Sequence, residues 1–597
     1  MPSLRTNLLF LCMCSLASGY HWPSPHYDVL EALLYEGRRV DGSNMASLQH
    51  PCKLRGSTQA SIGAEWLRLA YHDSATHDSL AGTGGLDASI AFELDREENI
   101  GDGMHQTLSD FETFSNKYVS RADVIALGTT FAVASCGGPI IPFRGGRIDT
   151  YSAGPPGVPE PHQDLPTHTA LFKRQGFDET DMITLVACGH TLGGVRSHDF
   201  PTIVPPNSDP TISNVNLFDS THAFDNNVIT QYLDGTTENP LVTVGNTTLR
   251  SDLRIFSSDG NATFSRLTLS EMFMQSCSNV LERMLNTVPS YVTLTEPIDL
   301  LHAKVASSHL TIEKGEFVFK VTFRLTQPIG TTIKSTRTVK ILWCDRYGSN
   351  GDCQQHANSA LPATLSQDDP EISPVTYHLG LFFVRYDFVL PIEPLLSISL
   401  FWFEVDEGDG TPPRYYDNNS TGYIVAQDQL LYIPSLSSVN LHGRNDTLKT
   451  YDIVAAVRSN AEPSRVYLDA FDNAMENYLP PLNISIDMKR NHSIPDAGGF
   501  RFYSASLNDT GTQLTVDLHT VINGHLFTED FMQTFFIDEN IPYTPPTAVQ
   551  STIIPAPSPS ATSSSGTDLG EYRDIPIHSS ILLRLLPLLI AALIIYC

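Results

Sequence analysis

The chain is 597 residues long with a formal net charge of -29 and 17% charged residues, too long for a single hydrophobic core, so several domains are expected. The acidic balance argues against a sequence-independent hold on nucleic acid or anionic lipid and suits a soluble, cell-surface or acid-medium protein.

Residues 1–19 begin Met-Pro-Ser-Leu-Arg5, run apolar from Leu8 to Leu16 and reach small residues at Ala17-Ser18-Gly19, the pattern of a secretory signal peptide. Cys12 and Cys14 fall in that signal and Cys597 in the C-terminal tail. The remaining cysteines, Cys52, Cys136, Cys188, Cys277, Cys344 and Cys353, form an even set that predicts disulfides in an oxidising compartment. Cys344 and Cys353 close a short Gly/Asn/Asp loop and are expected to pair.

Residues 27–290 read as helices joined by Gly/Pro-rich loops, with apolar residues at helical spacing in Leu30 to Leu34, Trp66 to Tyr71, Val124 to Ala134, Met182 to Cys188 and Met272 to Leu285. In one helix Asp178 is placed to cap the start, Glu179 and Asp181 load the first turn, and Gly189 marks the end before His190. The period then changes to two, in Glu316 to Leu325, Thr338 to Trp343, Leu395 to Phe403, Tyr451 to Val454, Val466 to Leu468, Leu482 to Ile486, Phe500 to Tyr503 and Leu514 to Leu518. Short strands between turn signals predict two β-sandwich-like modules, 296–430 and 431–542. Trp343 and Trp402 have apolar neighbours and are read as core rather than exposed.

Residues 543–566 form a Pro/Ser/Thr-rich stalk, and 567–597 end in an apolar tail with nothing basic after it. Small residues at Ser563-Ser564-Ser565-Gly566, a polar spacer and that tail fit a GPI-anchor signal better than a transmembrane helix. Glycan acceptors of the Asn-x-Ser/Thr type stand at Asn246, Asn261, Asn418, Asn419, Asn445, Asn483, Asn491 and Asn508, mostly in the C-terminal half.

The chemistry sits in the helical part. Arg68 and His72 are four apart, so on a helix both project from one face, a guanidinium beside a proton-carrying imidazole. A second histidine, His190, stands at a helix end in Cys188-Gly-His-Thr-Leu-Gly193-Gly, where small residues would let a flat cofactor approach the backbone. These motifs resemble the plant, fungal and bacterial haem peroxidase superfamily, with spacings most similar to the secreted fungal class II enzymes, over about residues 50 to 285. The resemblance implies a mainly α-helical haem peroxidase domain ahead of the β modules, with haem b and calcium as cofactors.

Residue by residue, the resemblance implies that Arg68 and His72 are the distal pair, Tyr71 the aromatic against the haem, and His190 the iron ligand. Glu93 and Asn99, six apart, match a distal Glu and Asn that hydrogen-bond in series to the distal His. Asp73 and the loop carrying Gly85, Asp87 and Ser89 match the distal calcium site, and Thr191, Asp219, Thr221 and Asp225 the proximal one, with the Asp219 to Asp225 spacing one residue short. Asp252 is the candidate proximal Asp, with Asp259 as alternative, and Arg196 is placed to meet a haem propionate. Pro159-Glu160-Pro161 resembles the loop at the haem edge. Cys52 and Cys136 resemble a class II disulfide; a Cys188 to Cys277 pair lies outside that pattern.

The departures concern the donor. Ser61, Glu65 and Arg196 stand where manganese peroxidases have three carboxylates, Leu185 where lignin-type enzymes have a surface Trp, and Phe218 where class I enzymes have a Trp. The expected function is therefore reduction of hydrogen peroxide with one-electron oxidation of small, for example phenolic, donors at the haem edge. The alternative is a GPI-anchored cell-wall adhesin or scaffold with a non-catalytic peroxidase-like domain, for which cell-wall polysaccharide would be the partner.

Overall fold

The computed structural model describes residues 20–540 apart from 38–42, 57, 208–213, 349–352, 354–356, 370–372, 443–446 and 538. The expected signal peptide, stalk and anchor signal therefore lie outside the described residues, as does Asn445. Among the described residues no helix is long and apolar enough to cross a membrane.

Five helices frame the N-terminal half: α1 (Ile62–Ser74), α2 (Arg121–Ser135), α3 (Glu179–Gly189), α4 (Ser251–Phe256) and α5 (Ser270–Leu285). Helix α2 is buried on all sides, with every residue from Arg121 to Ala134 enclosed, which makes it the central rod of the helical core. Helix α1 packs along it, its start fixed by the Ser61 hydroxyl accepting from Ala64 N. Helix α3 begins with a reciprocal capping box between Asp178 and Asp181. Its last turn is bonded to α5 by the Cys188–Cys277 disulfide, and Cys52–Cys136 ties the loop before α1 to the end of α2.

From Ala303 the chain is β-structured. A four-stranded antiparallel sheet, in the order Ala303–Glu313, Glu316–Pro328, Leu381–Pro391, Thr364–Gln367, shares a core with a five-stranded sheet built on Leu400–Asp406 and Thr338–Cys344. Phe323 and Phe403 stack at 4.0 Å in that core. Cys344 and Cys353 are disulfide-bonded. Leu395–Ser399 is not strand: the chain turns there, with Ser397 at φ 52°. Trp343 is half-buried and packs against that core, whereas Trp402 is half-buried off it, because even-numbered residues of Leu400–Asp406 alternate outward.

The second pair of sheets contains a six-stranded one centred on Lys449–Arg458 and a four-stranded one centred on Pro463–Asp472 and Thr515–Ile522. The change of sheet falls at Leu430–Tyr432, which pairs with Lys449–Arg458. That strand is buried on both faces: Ile453, Ala455 and Val457 pack on the second module's core, and Val454 and Ala456 pack, with Phe500 and Phe502, into the core of the first. The Asn418 acceptor is buried, its amide engaged by the main chain of Trp22 and Gly422, so burial takes it out of the set of exposed acceptors.

The segment Pro25–Glu36 joins the two halves. Leu30, Leu33 and Leu34 enter the helical core, while Glu31 and Glu36 meet Lys304, Arg324 and Arg385 of the first β-sheet. A second joint is made by Arg121, whose guanidinium donates to the carbonyls of Asn473, Tyr478 and Leu479.

Candidate active site

A cavity of about 460 Å³ opens between α1, α3 and α4. His72 and Arg68 project into it from α1 and His190 from the end of α3, so the two imidazoles line one space from different helices. Tyr71, Pro159, Glu160, Pro161, Leu185, Arg196, Phe218 and Asp252 also line it.

On the α1 side, His72 Nδ1 lies 2.8 Å from Asn99 Oδ1. An amide oxygen only accepts, so Nδ1 carries the hydrogen and Nε2 is left as the base. Burial first, and the Arg68 guanidinium second, lower the His72 pKa to about 3, which keeps the ring neutral. Asn99 Nδ2 in turn donates to the main-chain oxygen of Glu93 at 2.9 Å. The expected series His72, Asn99, Glu93 is present, but it runs through the Glu93 backbone; the carboxylate is occupied by Gly154 N and Arg96. Arg68 donates to Ile100 O at 2.9 Å, and burial lowers its pKa to about 10 against the upward pull of Asp199 and Glu65, so it stays cationic at neutral pH.

On the opposite side, His190 Nδ1 lies 2.8 Å from Asp252 Oδ2, and Phe218 stacks on the ring at 4.2 Å and 12°. Asp252 is the partner; Asp259 instead caps the short helix Ala262–Arg266 through Ala262 N and Thr263 N. Asn239, which the sequence reading did not single out, places Nδ2 2.8 Å from the same Asp252 oxygen. Its only sequence signal, Asn before Pro240, reads as a helix cap.

Arg196 is buried; Nε donates to Asp199 at 2.7 Å, and Nη1 has no hydrogen-bond partner among the described residues. A buried guanidinium nitrogen facing a cavity calls for an anionic oxygen, as a propionate would supply. Gly189 borders the cavity, and a Cβ added there would meet no atom within 4 Å. These features fit a flat dianionic cofactor that His190 would hold.

The positions of the manganese carboxylates are otherwise employed: Ser61 caps α1, Glu65 is held by Arg55 at 2.8 Å, and Arg196 is a cation. The rim cluster Asp102, His198 and Asp199 could bring three ligand atoms to one ion, but Arg196 already bridges its two carboxylates.

The two expected calcium sets differ. Asp73 Oδ1 accepts from Ile90 N and Oδ2 from Asp87 N and Ala88 N, while Thr76 Oγ1 sits between the Asp73 and Gly85 carbonyls; burial and the neighbouring Asp87 push the Asp73 carboxyl up. Ser89 Oγ is 3.4 Å from Asp73. In the second set, Thr221 Oγ1 bonds both Asp219 and Asp225, Thr191 Oγ1 bonds the Asp225 main chain, and the buried Asp219 Oδ2 has no hydrogen-bond partner among the described residues. Burial raises the Asp219 pKa to about 6.

The family model described as peroxidase matches residues 49–269. The match falls on the helical domain, a little over a third of the chain. Matching proteins include a WSC domain-containing protein of Arthroderma benhamiae, 38% identical over 343 residues, which covers 56% of this chain and 47% of that protein. The peroxisomal L-ascorbate peroxidase 5 of Arabidopsis thaliana is 35% identical over 175 residues, covering 29% and 58%. The mitochondrial cytochrome c peroxidase of Cryptococcus neoformans var. grubii is 33% identical over 144 residues, covering 23% and 38%. The chain thus spans about half the length of the first two relatives. The first of these alignments is longer than the peroxidase-domain match, so the likeness extends beyond that domain.

Proposed function

We propose that this protein is a secreted haem peroxidase that reduces hydrogen peroxide to water and oxidises small donors, phenols among them, by one-electron steps at the open edge of the cavity. One observation carries the reading: two imidazoles face one cavity, one backed by a carboxylate and the other flanked by a guanidinium. His190 would hold haem b through Nε2, its Nδ1 being committed to Asp252, and Arg196 would take a propionate. Haem, when bound, supplies the redox-active iron. His72 accepts the proton of the incoming peroxide at Nε2 and delivers it to the departing oxygen, and Asn99 keeps the ring in the tautomer that permits both. Arg68 stabilises the negative charge that develops as the oxygens separate. Leu192, Phe172 and Ile255 supply apolar walls that limit water.

Calcium at Thr191, Asp219, Thr221 and Asp225, and a second ion at Asp73, Gly85, Asp87 and Ser89, would stiffen the loops behind each histidine. The signal-like N-terminus and GPI-type tail support a cell-surface or wall location. The second reading, a wall scaffold with a silent peroxidase domain, is favoured by the Arthroderma relative being named for its WSC domain and not for an activity.

The two readings separate in one comparison. His72→Ala should retain haem yet react with peroxide at least ~100-fold more slowly, the lower bound for lost acid-base transfer, while His190→Ala should lose haem on gel filtration. Equal peroxide rates in the native protein and His72→Ala would sink the enzymatic reading.

A further inference from the structure

We propose that Asn239 is a positioning residue that sets how much negative charge the Asp252 carboxylate presents to His190, and through it the electron-donating strength of the iron ligand. The inference rests on the reading of His190 as that ligand. Asp252 Oδ2 accepts two hydrogen bonds of equal length, 2.8 Å from His190 Nδ1 and 2.8 Å from Asn239 Nδ2. The orientation of the Asn239 amide is fixed by its other end, since Oδ1 accepts from Leu241 N at 2.8 Å and only the oxygen can accept. Asn239 is 0% exposed and Asp252 1%, so water does not compete for the shared oxygen. Among the described residues, Oδ1 of Asp252 meets the Ser251 hydroxyl alone, at 3.4 Å. Phe218, the ring against His190, has no N–H to offer.

A carboxylate oxygen that accepts a second donor is less basic, and in a buried site the effect is not screened. Asp252 therefore draws less strongly on the Nδ1 proton than it would with His190 as its sole partner. The imidazole keeps more neutral character and donates less charge through Nε2, which favours the reduced metal. Asn239 thus tempers Asp252 rather than duplicating it.

The test uses Asn239→Ser and, as a second variant, Asn239→Thr. Both retain an oxygen that can cap Leu241 N and both lack the amide donor. In the haem-loaded full chain, the midpoint potential of the ferric/ferrous couple should shift negative and the Fe–His190 stretching band of the ferrous form should move to higher frequency. Unchanged potential and stretch in a variant that still carries haem on His190 would overturn the role of Asn239 and leave the peroxidase reading standing. A native chain that takes up no haem, or takes it up as well with His190→Ala, would overturn both.

Discussion

His72 and His190 carry the same side chain and are given opposite tasks by what faces Nδ1. An amide oxygen behind His72, in a buried pocket beside Arg68, leaves a neutral base; a carboxylate behind His190 would make an electron-rich ligand of its Nε2. Asn99→Leu should therefore cost ~10–100-fold in the peroxide step, the usual toll of losing an outer partner, without loss of haem, as stopped-flow mixing with peroxide would show. The four-residue spacing of Arg68 and His72 made this wall legible, because helical geometry converts spacing into direction. Asn239 was not legible, since Asn before Pro is a sufficient cap signal in itself and its reach to Asp252 depends on how the short helix Pro240–Thr243 docks. Nor was the use of the Glu93 main chain, because every residue carries that carbonyl.

Helix α3 brings His190 to the cavity, and both its ends are anchored. The Asp178 and Asp181 box closes the start, and Cys188–Cys277 fastens the last turn to α5. Replacing both cysteines by alanine should lower stability by ~2–5 kcal/mol, as loss of a disulfide usually does, read from denaturant midpoints. Caps and helical periodicity were readable because they are local. The strands were read less well: Leu381–Pro391 lies between two strands of its sheet and opens with the continuous apolar run Leu381-Phe-Phe-Val384, which has no period of two. The expected strand at Leu395–Ser399 failed because its apolar residues serve a turn, leaving Leu395 80% exposed.

Between the halves of the molecule, Arg324 is fully buried over the Phe383 ring and pairs with Glu31 and Glu36, which also meet Lys304 and Arg385. Residues nearly three hundred positions apart make these pairs, so no local pattern announces them. Removing Arg324 would strand two buried carboxylates, and Arg324→Ala should cost ~3–5 kcal/mol, measured by thermal unfolding. Burial alone would raise both glutamates, but Arg324 and Lys304 hold Glu31, and Arg385 and Arg324 hold Glu36, below their ordinary 4.5. Depressed carboxyls contribute stability above the unfolded value and lose it as pH falls through the folded one, so the contribution of this joint should be complete at neutral pH and decline below about pH 4.5, as stability measured against pH would show. The central claim, that the cavity holds haem and turns over peroxide, is tested most directly by the absorption spectrum of the purified chain before and after one equivalent of hydrogen peroxide. The account predicts a Soret band that shifts within the mixing time and returns when a phenol is added. No Soret band, or one that peroxide leaves unchanged, would contradict it.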